Sequence, residues 1–306
     1  MTQRPSRESS GPIVPSSGDS VYLEYSSRMA PIEGLCSPTE AWLFYYGWSR
    51  VYERMQPFFT SPEMREAGLD MAEVKGSMDV LDVGAGTGTL SQQVAARIGG
   101  SSRLSMVDQS AQMLNQAKSK PNLADGRFEL ADCSEALPFG DESFDRVVSS
   151  GVFYYFPDPV HALREQLRVV RPGGKVLVMG SLAPKPFLVR LLAQTFNRFP
   201  TEEQYASWFA EAGCADVQWK HITNPWNTQQ YAIAIMGTKP AKLGPAPPRV
   251  ITPSPQKSVL RRIAEWPIAL ARFGVAVAAF AIVGPLQIAN AAVGMRRMRS
   301  AGSSPV

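Results

Sequence analysis

The chain has 306 residues, of which 44% are hydrophobic and 19% charged, and this composition predicts a globular protein with one large or two small domains. Its three cysteines (Cys36, Cys133, Cys214) are far apart and it has only two histidines, which excludes a disulfide framework and makes a metal centre unexpected. Residues from Lys239 onward carry ten Lys or Arg and one acid, a charge of +9, which leaves −5 on the preceding residues. This acidic body disfavours nucleic acid as a partner.

The N-terminal region contains two different kinds of sequence. Residues 1–20 are rich in Ser, Pro and Gly and predict a disordered N-terminus without the apolar core of a secretory signal. Residues 21–77 predict a helical segment before the main domain, with an aromatic-rich amphipathic helix at Trp42–Phe59. Two interpretations of this helix remain open: it packs on the core of the next domain, or it covers an apolar substrate as a lid.

Residues 78–238 alternate short apolar runs with amphipathic runs, which predicts a Rossmann-like α/β domain with a mostly parallel sheet and helices on both faces. Seven strands are predicted, at Asp79–Val83, Arg103–Val107, Arg127–Leu130, Asp145–Ser149, Lys175–Gly180, Val217–Ile222 and Ala232–Gly237. Five helices are predicted between them, at Thr89–Ile98, Ala111–Lys118, Pro159–Val169, Phe187–Asn197 and Thr201–Ala212. Arg171–Gly174, RPGG, is interpreted as a structural turn before the fifth strand.

The C-terminal region predicts a membrane anchor. Residues 239–260 form a Pro-rich linker, and residues 261–299 contain a transmembrane helix whose span, 273–295, has 23 residues without a charge. A proline and two amide side chains lower its hydrophobicity, so an interfacial helix and a soluble packing helix remain alternatives. Three basic residues flank the span on each side, so charge does not orient it, and residues 300–306 form a short tail.

The segment Val80–Gly88, VLDVGAGTG, is an apolar strand that leads into a glycine-rich turn and then a helix. Glycines let the backbone approach a ligand, and the helix N-terminus offers free N–H groups. The spacing of Gly84, Gly86 and Gly88 differs from the G-x-G-x-x-G of dinucleotide-binding folds. Asp82 before the turn suits a ligand with a positive amino group and no pyrophosphate, and S-adenosylmethionine is such a ligand.

Polar residues also end the next three predicted strands. Asp108 follows the second strand, where a carboxylate can bind both hydroxyls of a ribose. Asp132 follows the third strand, where it can accept from an adenine amino group, and Ser150 ends the fourth, at the ligand-binding edge. The predicted cofactor-binding residues lie in these segments: Asp82, Gly84, Ala85, Gly86, Gly88, Asp108, Gln109, Met113, Asp132, Cys133 and Ser150.

The ordered motifs VLDVGAGTG, MVDQS, LADCSEALPF, FDRVVSSGVFYYFPDP and LRVVRPGGKVLV resemble those of class I S-adenosylmethionine-dependent methyltransferases. The resemblance is closer to the plastid methyltransferases of 2-methyl-6-phytyl-benzoquinol and its solanesyl counterpart, through AWLFYYGWSRVYERM, SSGVFYYFPDP, FPTEEQYASWFAEAG and the apolar C-terminal segment. It implies a C-methyltransferase that acts on a prenylated hydroquinone in plastoquinone and tocopherol biosynthesis. It also implies anchoring in a plastid membrane, the chloroplast inner envelope.

The chain departs from this family at three places. Ala85 stands where the plant members often have glycine, which we expect to be harmless because the methyl can face outward. Phe156 stands where the plant proteins tend to have Trp. The Ser-rich N-terminus is shorter than the resemblance leads us to expect of a plastid transit peptide, which leaves the compartment open.

Methylation of a quinol ring carbon needs a group that takes or shares the proton of a ring hydroxyl. The candidate catalytic residues follow the fourth strand: Tyr154, Tyr155, Asp158 and His161. Each has a structural alternative, since the tyrosines can pack in the core, Asp158 can cap a helix at Pro159, and His161 can face solvent. His221 is expected to be structural.

Two other functions remain open at this point. The first is methylation of another membrane lipid: a sterol, a ubiquinone or menaquinone precursor, or a phospholipid base. The second is a catalytically silent binding protein that keeps the fold, which the complete set of three strand-end acids disfavours.

Overall fold

The computed structural model describes residues 62–182, 199–222 and 232–247. In these ranges no helix is long and apolar enough to cross a lipid bilayer. Three predicted elements lie outside the described residues: the aromatic helix at Trp42–Phe59, the helix at Phe187–Asn197 and the membrane span at 273–295.

Seven strands build one mostly parallel sheet, as predicted. They are β1 (Val80–Val83), β2 (Leu104–Asp108), β3 (Arg127–Leu130), β4 (Phe144–Ser150), β5 (Val170–Ser181), β6 (Ala215–His221) and β7 (Ala232–Thr238). The order across the sheet is β3-β2-β1-β4-β5-β7-β6, with β7 antiparallel to both of its neighbours. The order reverses between β1 and β4, and open sheets bind ligands at the carboxyl ends of the strands beside such a reversal.

Apolar side chains on both faces explain why these strands lie inside the domain. All four residues of β1 are buried, and β7 is buried from Ala232 to Gly237. Near-continuous apolar sequence is typical of strands covered on both faces. Neighbouring residues point to opposite faces, so Val80 belongs to one hydrophobic cluster and Leu81 to the other.

Helices cover both faces of the sheet, which confirms the predicted layers. The described helices are α1 (Pro62–Met71), α2 (Thr89–Ile98), α3 (Ala111–Lys118), α4 (Pro159–Val169) and α5 (Glu202–Glu211). Leu69 of α1 and Val94 of α2 lie in the first cluster, and Leu163 of α4 and Phe209 of α5 lie in the second. The reversal point between β1 and β4 is therefore covered on both sides.

A capping box holds the start of α5. The Thr201 Oγ1 accepts from the Gln204 N–H at 3.3 Å, and the Gln204 Oε1 accepts from the Thr201 N–H at 2.9 Å. This reciprocal pair satisfies two N–H groups that a helix N-terminus leaves without partners. The position of α5 matters for the site because its first turn packs near the carboxyl ends of β5 and β6.

The segment Arg171–Gly174 is not the turn that we expected, because it lies inside β5. Val170 pairs with Phe144 and Lys175 pairs with Arg146, so the β5 strand carries extra residues between two ladder positions and forms a bulge. The backbone of Lys239 holds this bulge, since its carbonyl accepts from the Gly173 N–H at 2.9 Å and its N–H donates to the Gly174 carbonyl at 2.9 Å. The segment is therefore a strand, not a turn, because it pairs with the residue that follows β7.

Candidate cofactor and active site

The glycine turn after β1 has three glycines in the left-handed region, Gly84 (φ 71°), Gly86 (φ 55°) and Gly88 (φ 79°). Two of them face packed side chains: a Cβ on Gly84 would lie 2.7 Å from Val152 Cγ2, and one on Gly88 would lie 2.6 Å from Leu123 Cδ1. A Cβ on Gly86 would meet no atom within 4 Å. Gly86 is therefore the position at which a ligand can approach the backbone of the turn.

The methyl of Ala85 does not face outward, contrary to our expectation. Ala85 is buried and belongs to the same hydrophobic cluster as Leu90 of α2. The substitution of alanine for glycine is tolerated for a different reason: this residue does not have the positive φ of its neighbours, and its methyl packs in the core.

Asp108 at the end of β2 is tied to the glycine turn. Its Oδ2 accepts from the Gly86 N–H at 2.9 Å, and its Oδ1 accepts from the Ser110 N–H at 2.8 Å. Burial raises the pKa of Asp108, and the two N–H donors oppose this effect. Among the described residues no Lys or Arg forms an ion pair with it. The carboxylate therefore lies beside the open position of the turn without a cationic partner from this part of the chain.

Asp82 lies below the turn rather than at its surface, with 1% of its surface exposed. Its Oδ2 accepts from the Ser91 Oγ at 2.6 Å. Burial raises the pKa of Asp82 to about 7, and the negative charge of Asp108 adds to the rise. The predicted acid is thus a buried group held by a hydroxyl of α2.

The sequence reasoning missed Ser91, although the sequence contains a signal for it. Ser91 shares one helix face with Val94, Ala95 and Ile98, at the spacing of three, four and seven residues that marks a buried face. A polar residue among apolar ones on such a face needs a hydrogen-bond partner. The acid at the end of the preceding strand is that partner.

The residues predicted after β2 and β3 occupy two different environments. Asp132 is exposed, and its Oδ1 accepts two hydrogen bonds from Ser134, one from the N–H at 2.9 Å and one from the Oγ at 2.7 Å. Gln109 is also exposed. Cys133 and Met113 are buried, and burial raises the pKa of the Cys133 thiol to about 12. The structure thus leaves Asp132 and Gln109 accessible to a ligand, whereas the Cys133 side chain packs in the core.

The end of β4 leads directly to the predicted tyrosines. Ser150 is the last residue of β4, and the Gly151 N–H donates to the Met179 carbonyl at 2.8 Å. The 3₁₀ turn Phe153–Tyr155 follows. The ring centroid of Tyr154 lies 4.5 Å from that of Tyr155 and 5.7 Å from that of Phe199. A Cβ on Gly151 would lie 3.4 Å from the Tyr154 Oη, so this hydroxyl is positioned over the end of β4.

Asp158 and His161 are joined by a helix cap. The Asp158 Oδ1 accepts from the His161 N–H at 2.9 Å, which makes Asp158 the N-cap of α4 with Pro159 in the first turn. This is the structural alternative considered for Asp158. The His161 ring is half-buried in the same turn.

His221, the last residue of β6, contacts α5. Its Nε2 lies 2.7 Å from the Glu202 Oε1. In the sheet, Ile233 of β7 pairs with His221 on one side and with Gly180 of β5 on the other. The buried Tyr205 ring lies over Gly180, because a Cβ on Gly180 would be 2.5 Å from the Tyr205 Cζ. The start of α5 therefore packs on the carboxyl ends of β5 and β6 and the amino end of β7, through the contacts of Glu202 with His221 and of Tyr205 with Gly180. Sequence spacing alone did not connect these residues.

Within the described ranges, no group of three or more His, Cys, Asp or Glu side chains is placed to hold a metal ion. The polar groups of the site are instead the backbone N–H groups of the turn, the buried carboxylate of Asp82, the half-buried one of Asp108 and the exposed one of Asp132, beside the open position at Gly86. No Lys or Arg among the described residues pairs with the carboxylates of Asp82 and Asp108, so these carboxylates suit a cationic ligand. The glycine turn lets a ligand approach the backbone closely, which suits the nucleoside part of S-adenosylmethionine.

Residues 80–174 match a family model described as a methyltransferase domain. The match covers the glycine turn, the acidic strand ends and the tyrosine turn. Together with the sheet order, it defines a class I S-adenosylmethionine-dependent methyltransferase domain, which confirms the class predicted from the sequence. S-adenosylmethionine is the methyl donor of this class.

The chain is similar to the chloroplastic 2-methyl-6-phytyl-1,4-hydroquinone methyltransferase of Spinacia oleracea, with 35% identity over 210 residues, 66% of this chain and 60% of that protein. It is also similar to the ubiquinone/menaquinone biosynthesis C-methyltransferase UbiE of Paracoccus denitrificans, with 29% identity, 52% of this chain and 75% of that protein. A solved structure, phosphoethanolamine N-methyltransferase 2 of Haemonchus contortus in complex with S-adenosyl-L-methionine, has a TM-score of 0.51 at 19% identity. The superposition covers 58% of this chain and 53% of the Haemonchus chain, and at this level of identity it supports the fold alone.

Asp82→Asn tests the buried acid through the stability of the ligand-free protein. From the pKa of a free aspartate up to about pH 7, the folded protein holds a proton on Asp82 that the unfolded chain has lost, so stability falls as pH rises through this range. Above about pH 7 the cost of the buried charge is on the order of 4 kcal/mol.

The asparagine variant carries no such charge and retains an oxygen that can accept from Ser91. We expect it to unfold several degrees above wild type at about pH 8.5 and by a clearly smaller margin at about pH 5, where less of the penalty has developed. Thermal unfolding followed by circular dichroism measures both values. A difference that is independent of pH would contradict the burial argument.

Proposed function

We propose that this chain is an S-adenosylmethionine-dependent C-methyltransferase that methylates the ring of a prenylated benzoquinol. The proposed acceptors are 2-methyl-6-phytyl-1,4-benzoquinol and its solanesyl counterpart, which places the reaction in tocopherol and plastoquinone biosynthesis.

The similarity to the spinach hydroquinone methyltransferase carries this proposal. It extends over 210 residues, well beyond the 80–174 range of the methyltransferase domain match. Cofactor motifs are shared by the whole class, whereas the acceptor is recognised by elements outside them. An alignment that includes such elements therefore favours a related acceptor.

In the proposed site, the glycine turn and the strand-end acids bind the donor. When bound, S-adenosylmethionine supplies a methyl group activated by a positively charged sulfur. The Asp108 carboxylate and the Gly86 backbone lie together at the turn and would hold the ribose. The exposed carboxylate of Asp132 is the proposed partner of the adenine amino group, and the exposed Gln109 is a further proposed contact of the donor. Fixing donor and acceptor in line supplies a large part of the rate of such a transfer, about 7–11 kcal/mol in well-aligned systems.

The acceptor side needs a partner for the quinol hydroxyl, because loss or sharing of that proton makes the ring carbon nucleophilic. Tyr154 is the best-supported of the four candidates, since its hydroxyl lies over Gly151 at the end of β4. Asp158 is engaged as the cap of α4, and the Tyr155 ring contacts that of Tyr154 at an interplanar angle of 56°. Tyr154 is thus the proposed hydroxyl-binding group, and His161 remains the alternative base for the ring proton.

The membrane assignment is also a proposal. Residues 273–295 are uncharged and flanked by arginines, and they are the proposed anchor after the Pro-rich linker 239–260. A prenylated quinol resides in lipid, and an anchor would confine enzyme and acceptor to one surface. The spinach relative is described as chloroplastic, which supports a plastid membrane such as the inner envelope.

A panel of quinols tests the proposed acceptor. We expect the full chain, with S-adenosylmethionine labelled in its methyl group, to transfer label to phytyl- and solanesyl-benzoquinols in detergent or liposomes. The ubiquinone and menaquinone precursors are the informative competitors, because the Paracoccus relative carries that description. Mass spectrometry of the product identifies the methylated carbon. Preferential methylation of either competitor would replace the proposed acceptor while leaving the class of enzyme unchanged.

Tyr154→Phe and Tyr155→Phe form a matched pair within one 3₁₀ turn. Removal of the Tyr154 hydroxyl is expected to lower kcat by about 10²-fold, the lower end of the range for a lost acid–base group. Removal of the Tyr155 hydroxyl should change kcat less than about threefold, because the ring contact remains. Steady-state rates on the preferred quinol measure both, and donor affinity should stay unchanged. Equal losses in the two variants would point to a packing role instead.

Removal of the proposed anchor tests whether the anchor affects access to a membrane-bound quinol without affecting the methyl transfer itself. A chain that ends at residue 260 should retain its rate on a short, soluble quinol and lose about tenfold or more on a prenylated quinol in liposomes. A chain that lacks only residues 300–306 is the control and should behave as the full chain in both assays. Equal losses on the soluble and the prenylated quinol would argue against an anchoring role.

A further inference from the structure

We propose that Ser91 is a positioning residue of the cofactor site: it holds the Asp82 carboxylate below the glycine turn and thereby couples binding of the cationic donor to release of a proton. The inference rests on donor binding at this turn, and it adds the buried pair that regulates that binding.

The geometry of Ser91 carries the first part of the argument. Its side chain is completely buried on α2, and its hydroxyl donates to the Asp82 Oδ2 at 2.6 Å. A serine inside a helix commonly bonds a carbonyl of its own helix or faces solvent. Here it bridges from the helix to the strand that precedes the turn. Both partners are shielded from water, so the bond fixes one orientation of the carboxylate.

The charges around Asp82 carry the second part. Three titratable or polar groups face it from the neighbouring elements: the Ser91 hydroxyl of α2, the Asp108 carboxylate of β2 and the Cys133 thiol after β3. No Lys or Arg of the described chain contributes to this set. A buried carboxylate and a half-buried one, close together and without a cation, do not both ionise readily. A proton on Asp82 is therefore the expected compensation while no ligand is bound.

Binding of the donor changes this balance. S-adenosylmethionine brings a sulfonium and an ammonium group, and their positive charges favour the ionised form of Asp82. The demethylated product has lost the sulfonium charge, so it favours ionisation less. Burial raises the pKa of Asp82 to about 7, which places the exchange of this proton near neutral pH. Preference for the donor over the product should consequently increase as pH rises through this range.

Ser91 sets the position of this transition. Its hydroxyl donates to the carboxylate, and a donor of this kind stabilises the ionised form. Loss of the hydroxyl therefore shifts ionisation of Asp82 to higher pH. It also releases the carboxylate from its fixed orientation, which weakens the charge interaction with the donor.

Isothermal titration calorimetry of the full chain measures the released protons directly. Titrations with S-adenosylmethionine, in pairs of buffers with different ionisation enthalpies, give the number of protons released at each pH. We expect wild type to release about half a proton per donor near pH 7 and almost none at about pH 9. The demethylated product should release less at every pH.

Three variants identify the groups involved. Ser91→Ala should move the pH of maximal release upward and reduce the donor-to-product affinity ratio at about pH 7 several-fold. Asp82→Asn should abolish the buffer-dependent heat. Ser105→Ala, which truncates a buried serine near the start of β2, is the matched control and should release protons as wild type does.

The outcomes separate this inference from the proposed function. Donor binding by wild type without buffer-dependent heat would overturn the coupling while leaving the methyltransferase function intact. Unchanged proton release in a folded Ser91→Ala variant would overturn the role of Ser91. Absence of donor binding at every pH would overturn both the function and the inference. Thermal unfolding identifies a variant that fails to fold, and the wild-type and Asp82→Asn titrations then still decide the coupling.

Discussion

The hydrogen bond from the Gly86 N–H to Asp108 is the contact on which the geometry of the site depends. It joins the turn after β1 to the end of β2, so the backbone that approaches a ligand and the acid that can bind its hydroxyls keep one relative position. The neighbouring glycines reinforce this arrangement, since Val152 and Leu123 occupy the space that side chains at Gly84 and Gly88 would need. The same packing leaves Gly86 open. The turn is therefore packed tightly at Gly84 and Gly88 and accessible to a ligand at Gly86.

The sequence predicted the layers and the seven strands, because each depends on local pattern. The segments of the proposed donor site were identified from the same kind of pattern. Apolar runs, a glycine turn and acids at strand ends are visible without tertiary information. Interactions between distant segments were not predictable in this way. Arg171–Gly174 reads as a turn, and its pairing in β5 depends on Lys239, far along the chain. The Ala85 methyl is buried in the cluster that contains Leu90 of α2, which no pattern around Ala85 specifies.

The sheet edge at which we propose that the acceptor binds illustrates the same limit. The first turn of α5 reaches the sheet edge through Glu202 and Tyr205, which contact His221 and the strand around Gly180. Each of these residues has an ordinary sequence environment, and only the sheet order β5-β7-β6 makes them neighbours. The antiparallel β7 is responsible, because it places the end of β6 level with the end of β5. This edge is continuous with the end of β4, where the Tyr154 turn lies.

The burial of Asp82 has a consequence for how the site discriminates between ligands. An exposed carboxylate would attract any cation weakly, because water screens its charge. A buried carboxylate attracts strongly only a ligand whose positive charge is held close by, and it takes up a proton when that charge is absent. Protonation keeps the ligand-free protein from containing an uncompensated buried charge. A methyl donor and its product differ by one positive charge, so a group with these properties responds to the single chemical difference that the reaction creates.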